Sequence, residues 1–260
     1  VNAYALQLVF DDFFLNEDAE LYIYNYDTTQ VLGAYLSLNN TQNGKFITEE
    51  INGDILTIEL YESRNLQNSR IHIVHLAHAY KKNITANADF KSLLPQSCEK
   101  NVNCPEGDSW NNQKRSVVKL SKPNEFGFTF TSSGAMINNT KNDGKLYLLT
   151  AFHILDGEDD ANSDGFINND DYDCILSITE QNLIQQITVR FNYQYNDCPG
   201  TTLYSGQTLY GCSLLVADYT TDMALLELIE KPNASYNVYL AGWDNSFNTP
   251  TSVICIHHPL

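Results

Sequence analysis

The chain has 260 residues and carries 32 Asp and Glu against 15 Lys and Arg, a formal net charge of −17. A surface this acidic repels phosphate backbones and argues against nucleic acid as a partner. No apolar run is long enough to span a membrane, and the chain opens at Val1 without an initiator Met or a visible signal peptide. We therefore expect that the sequence starts at the mature end of a processed protein or at an interior cut. Its 16 Tyr and only 2 Met favour strands over helices.

Residues 1–95 have the pattern of one β-domain. Tight hairpin turns are predicted at Asn43-Gly44 and Asn52-Gly53, because these dipeptides lie between runs of branched and aromatic residues. Those runs predict strands at residues 21–26, 55–60 and 71–74. Short strands separated by such turns indicate a β-sandwich.

A polar stretch at residues 81–89 leads to Pro95, and the sequence predicts a domain boundary there. The second domain, residues 96–260, is again β-rich, and its one helix of note is expected after Asp171. Its predicted strands lie at residues 116–120, 126–130, 146–150, 188–195, 224–228 and 253–257. The expected fold class is therefore all-β in both domains.

The six cysteines all lie in the second domain, and their spacing contains no C-x-x-C pair, which argues against a zinc site. They are either buried thiols or disulfides of an exported protein, and we favour disulfides. The positions are Cys98, Cys104, Cys174, Cys198, Cys212 and Cys255.

Two segments of the second domain combine into a candidate catalytic pair. Residues 145–153 read as a strand that delivers His153 at its end, and residues 222–228 place Asp222 at the start of an apolar strand, where it can be buried. A buried carboxylate needs a partner, and a His ring N–H is a suitable one. In such a pair Asp fixes the tautomer and His takes a proton from a nucleophile. The order His then Asp leaves a serine for last.

Eight stretches of the second domain follow one another in a characteristic order: residues 98–108, 115–117, 137–144, 149–153, 191–194, 222–228, 241–244 and 256–259. This series resembles the lysyl endopeptidase family, a bacterial, secreted branch of the trypsin-like serine peptidases. Through residues 32–34, 39–40 and 78–80, the first domain resembles the β-sandwich that precedes the catalytic domain in related proteins. It would then be an accessory domain or a pro-domain.

The resemblance implies a role for five residues. His153 falls on the family's general base and Asp222 on its orienting acid. Trp243, His257 and His258 fall on segments that line the family's substrate cleft. The implied partner is a protein or peptide substrate, cleaved outside the cytoplasm in the secreted space or at the cell surface of a bacterium.

The resemblance also implies a disulfide between Cys104 and Cys198. A second family disulfide is expected to be lost, because Ile154 and Ser133 occupy the positions of its two cysteines.

The family fold is a chymotrypsin-like double β-barrel, and the sequence ends at Leu260 before most of the second barrel. The nucleophilic serine is accordingly expected beyond residue 260, in a Gly-x-Ser-Gly turn. We further expect the incomplete second barrel to need a partner or the following segment to cover it.

Residues 160–171 match a twelve-position calcium loop with Gly165 at its sixth position. The alternative is a solvated acidic turn, which is common in so acidic a chain, but the number of matched positions favours a structural calcium ion. The predicted ligands are Asp160, Asn162, Asp164, Phe166 through its carbonyl, Asn168 and Asp171.

Three functions are compatible with these patterns. The first is a secreted serine endopeptidase with a calcium-stabilised loop. The second is a non-cleaving binding or surface protein on a peptidase scaffold, which would not need both His153 and Asp222. The third, a calcium-stabilised sugar- or protein-binding β-protein, does not explain the ordered series of motifs.

Overall fold

The computed structural model describes residues 3–40, 44–63, 68–79, 100–123, 129–156, 174–198, 203–204, 206–246 and 248–258. The chain divides into two compact units. Unit 1 comprises Val1–Thr85 with Phe126–Thr129, and unit 2 comprises Ala86–Glu125 with Phe130–Leu260. The described residues are mostly strands and loops with few helices, in agreement with the predicted all-β class. None of the helices in these ranges has the length and apolar content needed to cross a membrane.

Unit 1 is built from antiparallel strands in two sheets. In one sheet β4, β5 and β7 all pair with the long β1, and in the other β2 lies between β3 and β6. The strands are β1 (Ala5–Phe14), β2 (Glu20–Asn25), β3 (Val31–Tyr35), β4 (Phe46–Ile47), β5 (Ile51–Asn52), β6 (Leu56–Tyr61) and β7 (Arg70–Ala79).

The core of unit 1 is aromatic. Phe10 and Phe13 from β1 lie against Phe46 of β4, with the rings of Phe13 and Phe46 stacked at 4.2 Å between centroids. Tyr35 of β3 meets the same Phe46 edge-on at 5.0 Å, so the two sheets contact each other through their side chains. Burying each such ring or a large aliphatic side chain stabilises a fold by about 1.5–3 kcal/mol.

The turn predicted at Asn52-Gly53 differs from the hairpin that was expected. Gly53 has a φ of 108°, which favours glycine, but β5 on one side pairs with β1 and β6 on the other side pairs with β2. The turn therefore carries the chain from one sheet to the other. The Asn43-Gly44 turn lies only partly within the described residues, since Asn43 is outside them.

Unit 2 contains a seven-stranded sheet in the order β14-β11-β8-β9-β10-β16-β15, and a separate two-stranded ribbon of β12 and β13. This sheet corresponds to a half-barrel. Its elements are α1 (Asn111–Lys114), β8 (Val117–Pro123), β9 (Thr129–Ile137), β10 (Tyr147–Thr150), α2 (Ile178–Ile184), β11 (Thr188–Phe191), β12 (Gln194–Tyr195), β13 (Leu203–Tyr204), β14 (Gln207–Tyr210), β15 (Cys212–Asp218) and β16 (Met223–Leu228).

The core of unit 2 is aliphatic and comes from alternate residues of neighbouring strands. Leu148 of β10 and Leu226 of β16 face each other in register, and both are fully buried beside Met136 of β9. The helix expected after Asp171 is α2, whose Ile184 is buried in the same core. The strands of this sheet therefore share one buried apolar face.

The segment predicted as a strand at residues 253–257 is irregular, and that prediction was wrong. Val253 and Ile254 are 81% and 58% exposed and pair with no described strand. Branched residues favour strands only where a neighbouring strand and an apolar face receive them. The predicted strands 21–26, 55–60, 116–120, 146–150 and 224–228 agree with β2, β6, β8, β10 and β16 to within three residues. The strands β7 and β9 extend well beyond the predicted 71–74 and 126–130, and the predicted strand 188–195 is two short strands, β11 and β12, in different sheets.

Candidate functional site

The pairing of β10 with β16 brings His153 and Asp222 together. The two strands are antiparallel with Thr150 opposite Ala224, so the end of one lies beside the start of the other. The chain leaves β10 through a 3-10 turn, Phe152–Ile154, that presents His153, while the buried side chain of Phe152 anchors the turn. His153 therefore lies just beyond the predicted strand rather than in it.

Asp222 binds His153 at two places. The carboxylate accepts a hydrogen bond from the His153 backbone N–H (3.0 Å to Oδ1), and its oxygens lie 2.8 and 3.0 Å from the ring Nδ1. With the proton on Nδ1, the ring donates to the carboxylate and Nε2 is left as an acceptor. Within the described part of the chain, Nε2 has no hydrogen-bond partner.

The pKa of the Asp222 carboxyl lies below its ordinary value. The main cause is the hydrogen bond from the His153 backbone N–H; partial burial opposes the shift, and the His153 ring adds to it. The group is therefore ionised at neutral pH and is ready to stabilise a positive charge on the imidazole ring.

The expectation that Asp222 is buried was wrong. The side chains of His153 and Asp222 are 56% and 52% exposed, because Asp222 lies in the turn before β16 and not in the strand. Its φ of 51° places it in the left-handed region that turn Asp and Asn residues tolerate. The apolar residues that suggested burial begin at Ala224, which is fully buried.

Cys104 and Cys198 form a disulfide, as the family resemblance implied. Around it Asn101 donates to the Asp197 carbonyl (2.7 Å), and Asn103 donates to the Tyr195 carbonyl. The disulfide and the two amides together attach residues 101–104 to the end of β12 and to the residues that follow it.

His258, one of the three predicted cleft residues, packs against Ser133 and Tyr193 of unit 2. Its backbone N–H donates to Ser133 Oγ at 2.8 Å, and its ring lies 5.9 Å from that of Tyr193. Burial lowers the pKa of His258 to about 4, helped by the nearby charges of Lys119, His257 and Arg190. Its Nε2 is buried and has no hydrogen-bond partner among the residues that the structure describes.

The other two predicted cleft residues, Trp243 and His257, are exposed. Contact with a substrate stays a prediction for all three. Ser133 has a role that sequence reasoning missed, since its hydroxyl holds the His258 backbone and its carbonyl accepts from Thr150 Oγ1 (3.0 Å). The available signal was its departure from the family's cysteine at that position.

All six predicted calcium ligands, at residues 160–171, lie outside the described residues, and the calcium site stays a prediction. Asp156, which precedes that segment, is buried and accepts a hydrogen bond from the Cys174 backbone N–H (3.1 Å). The residues that the structure describes contain no group of three or more His, Cys, Asp or Glu arranged to hold a metal ion.

Three of the described cysteines of unit 2 are free thiols. Cys174 and Cys255 are exposed, whereas Cys212 is buried, and burial raises the pKa of its thiol to about 12. Cys98 lies outside the described residues.

Comparison with known protein families gives one match to unit 2. Residues 95–260 match the family model described as lysyl endopeptidase, C-terminal domain. The matched segment contains the His153–Asp222 pair and the Cys104–Cys198 disulfide. It spans well over half of the chain, and the chain therefore belongs to the lysyl endopeptidase C-terminal domain family.

Proposed function

We propose that this protein is a secreted serine endopeptidase in which His153 is the general base and Asp222 holds its ring. The observation that carries the proposal is the double contact of Asp222 with the backbone and the Nδ1 of His153. Membership of the lysyl endopeptidase C-terminal domain family supports a peptide substrate. The disulfide supports an oxidising compartment.

The proposed chemistry follows from the two ring nitrogens. A serine hydroxyl facing Nε2 loses its proton to His153 as its oxygen attacks the carbonyl carbon of the peptide bond. The imidazolium that forms is stabilised by ionised Asp222, and His153 then gives the proton to the departing amine nitrogen. Water repeats the same sequence on the acyl-enzyme and releases the acid.

The remaining parts of the proposal are a calcium loop and a sandwich domain. A calcium ion at residues 160–171 would offset the repulsion among its carboxylates and order the loop that follows His153. The contact of Tyr35 with Phe46 between the two sheets of unit 1 supports a β-sandwich there, acting as an accessory or pro-domain.

A fluorophosphonate probe tests the proposal, because it labels only a serine that a base has activated. The protein expressed from its complete coding sequence should be labelled, and peptide mapping then locates the serine, which we predict to lie outside residues 1–260. His153→Ala should abolish labelling. Labelling that persists in His153→Ala would refute the assignment, and a folded, disulfide-bonded protein without labelling would favour a non-cleaving scaffold.

A further inference from the structure

The outer face of the three-stranded sheet in unit 1 carries a cleft made of tyrosines and glutamates. Alternation along β2 directs Leu21 and Ile23 into the core, while Tyr22 and Tyr24 face outward. The cleft has a volume of about 530 Å³. It is lined by Glu20, Tyr22, Tyr24, Thr28, Val31, Glu59 and Tyr61.

The cross-strand register explains why these side chains meet. Tyr22 of β2 is opposite Glu59 of β6, and Glu20 is opposite Tyr61, so phenols and carboxylates alternate over the face. All three phenols donate to the carboxylates: Tyr22 to Glu20 at 2.9 Å, and both Tyr61 at 2.6 Å and Tyr24 at 3.3 Å to Glu59.

This hydrogen-bond pattern determines what the cleft can offer a ligand. The phenol protons are already donated, whereas each carboxylate has about four acceptor positions and at most two of them are used. The carboxylates raise the pKa of Tyr22 and Tyr61, so these phenols stay protonated. The cleft therefore presents unused acceptors, negative charge and aromatic faces, and a ligand must supply the donors.

We propose that this cleft binds the cationic side chain of a Lys- or Arg-bearing peptide segment. An ammonium or guanidinium group supplies the missing donors, neutralises Glu20 and Glu59, and is attracted to the faces of the tyrosine rings. Charge complementarity extends beyond the cleft, since residues 1–85 contain eleven Asp and Glu against five Lys and Arg, a formal charge of −6.

A sugar is a poorer fit for the same surface. Sugar rings stack on flat aromatic platforms and need both donors and acceptors. The rings of Tyr22 and Tyr61 meet edge to face at 83°, with centroids 6.2 Å apart, and so make no common platform. Apart from the Thr28 hydroxyl, every O–H donor of the lining side chains already donates to a carboxylate, and none of these side chains has an N–H.

The test is calorimetric titration of the 260-residue chain with the peptide Ac-Gly-Lys-Gly-Lys-Gly-NH2, beside its Arg and norleucine counterparts. Norleucine keeps the hydrocarbon of Lys and lacks the ammonium. Both cationic peptides should bind, more weakly at high salt, and should shift the amide NMR signals of β2 and β6. Equal binding of the norleucine peptide would overturn the proposal.

Two variants sharpen the test. Glu59→Gln removes one charge while its amide oxygen still accepts from a phenol, and it should weaken binding by about fivefold. Glu106→Gln, an exposed site outside the cleft with the same change in net charge, should have no effect. Equal effects of the two variants would mean that net charge alone attracts the peptide.

Tyr61→Phe keeps the ring and releases Glu59 Oε1 from its phenol, so cation binding should persist or strengthen. A loss of peptide binding in folded Tyr61→Phe, or NMR shifts at β2 and β6 caused by a neutral hexasaccharide and not by the peptides, would contradict the proposal. The readout is binding and not hydrolysis, and its outcome is therefore independent of the proposed peptidase activity.

Discussion

The described residues contain two histidine–aspartate pairs, one in each unit, and their distances are nearly the same. His153 Nδ1 lies 2.8 Å from Asp222 in unit 2, and His72 Nδ1 lies 2.6 Å from Asp11 in unit 1. Both pairs are about half exposed, with side-chain exposures of 56% and 52% against 70% and 44%. Distance and exposure therefore do not distinguish the proposed catalytic pair from an ordinary surface pair.

The backbone distinguishes them. Asp222 also accepts a hydrogen bond from the His153 backbone N–H, and both residues lie in turns at the ends of paired strands. His72 and Asp11 instead lie within the strands β7 and β1, on an exposed face. The bond from the His153 backbone fixes the Asp222 carboxylate relative to the ring. The backbone hydrogen bonds of the Asp11 carboxylate come instead from its own strand, at Asp11 and Asp12, and so leave the His72 ring held by the side-chain contact.

The largest expected effect is on the rate of peptide hydrolysis, which should depend on the His153–Asp222 pair and not on the His72–Asp11 pair. In the active protein, Asp222→Asn should lower the rate of peptide hydrolysis by about 10⁴-fold, because the amide no longer holds the required tautomer. Asp11→Asn should leave the rate unchanged. Equal rates for the two variants in a peptide-hydrolysis assay would remove the distinction between the pairs.

The two units should also differ in their response to loss of the disulfide. Residues 1–97 contain no cysteine, and Cys104 and Cys198 close a loop with a sequence separation of 94. Replacing both by Ser should destabilise unit 2 by about 4–5 kcal/mol through loop-closure entropy. In hydrogen exchange, the amides of β10 and β16 should lose protection, whereas those of β1 should keep theirs. Equal losses in both units would contradict this expectation.

A third expected effect concerns His258, whose folded-state pKa is about 4 instead of 6.5. Between these values the unfolded chain binds a proton that the folded chain does not, so stability falls as the pH is lowered from 6.5 to 4. The contribution is at most about 3 kcal/mol. The free energy of unfolding, measured in urea, should depend less on pH for His258→Phe than for the natural protein. The same pH dependence in both proteins would contradict the lowered pKa of His258.

The smallest effect is expected at the unit 1 pair. The hydrogen bond from His72 lowers the pKa of Asp11, so its stabilising contribution is present above the ordinary carboxyl pKa and is lost as the pH falls through the folded-state pKa. Because the pair is exposed, Asp11→Asn should destabilise unit 1 at pH 7 by no more than about 1 kcal/mol. A larger loss in the free energy of unfolding, measured in urea, would mean that further contacts hold this pair in place.

The sequence predicted the elements whose pattern is local. The run of branched and aromatic residues in β2 and the apolar run of β16 were recognised, and the order of motifs led to His153, Asp222 and the disulfide. The strand β1 was not predicted, because residues 5–10 are all buried and show no alternation with a period of two. Alternation indicates a strand with one buried face, whereas residues 5–10 of β1 are buried on both faces.

The errors at the candidate site have a common cause. The exposure of Asp222 and the contact of His258 with Ser133, 125 residues away in the chain, depend on how the strand ends are placed in three dimensions. An apolar strand that follows a carboxylate does not show whether the carboxylate is in the strand or in the turn before it. A serine at a lost cysteine position gives no indication of its new partner.

The central claim is that Asp222 holds His153 in the tautomer that leaves Nε2 free to accept a proton. Nitrogen-15 NMR of histidine-labelled protein measures this directly in the 260-residue chain, whatever supplies the nucleophile. For the neutral ring we expect a proton on Nδ1 and a bare Nε2, with the tautomer populations changed by Asp222→Asn and not by Asp11→Asn. A proton on Nε2, or a tautomer that ignores Asp222→Asn, would contradict the claim.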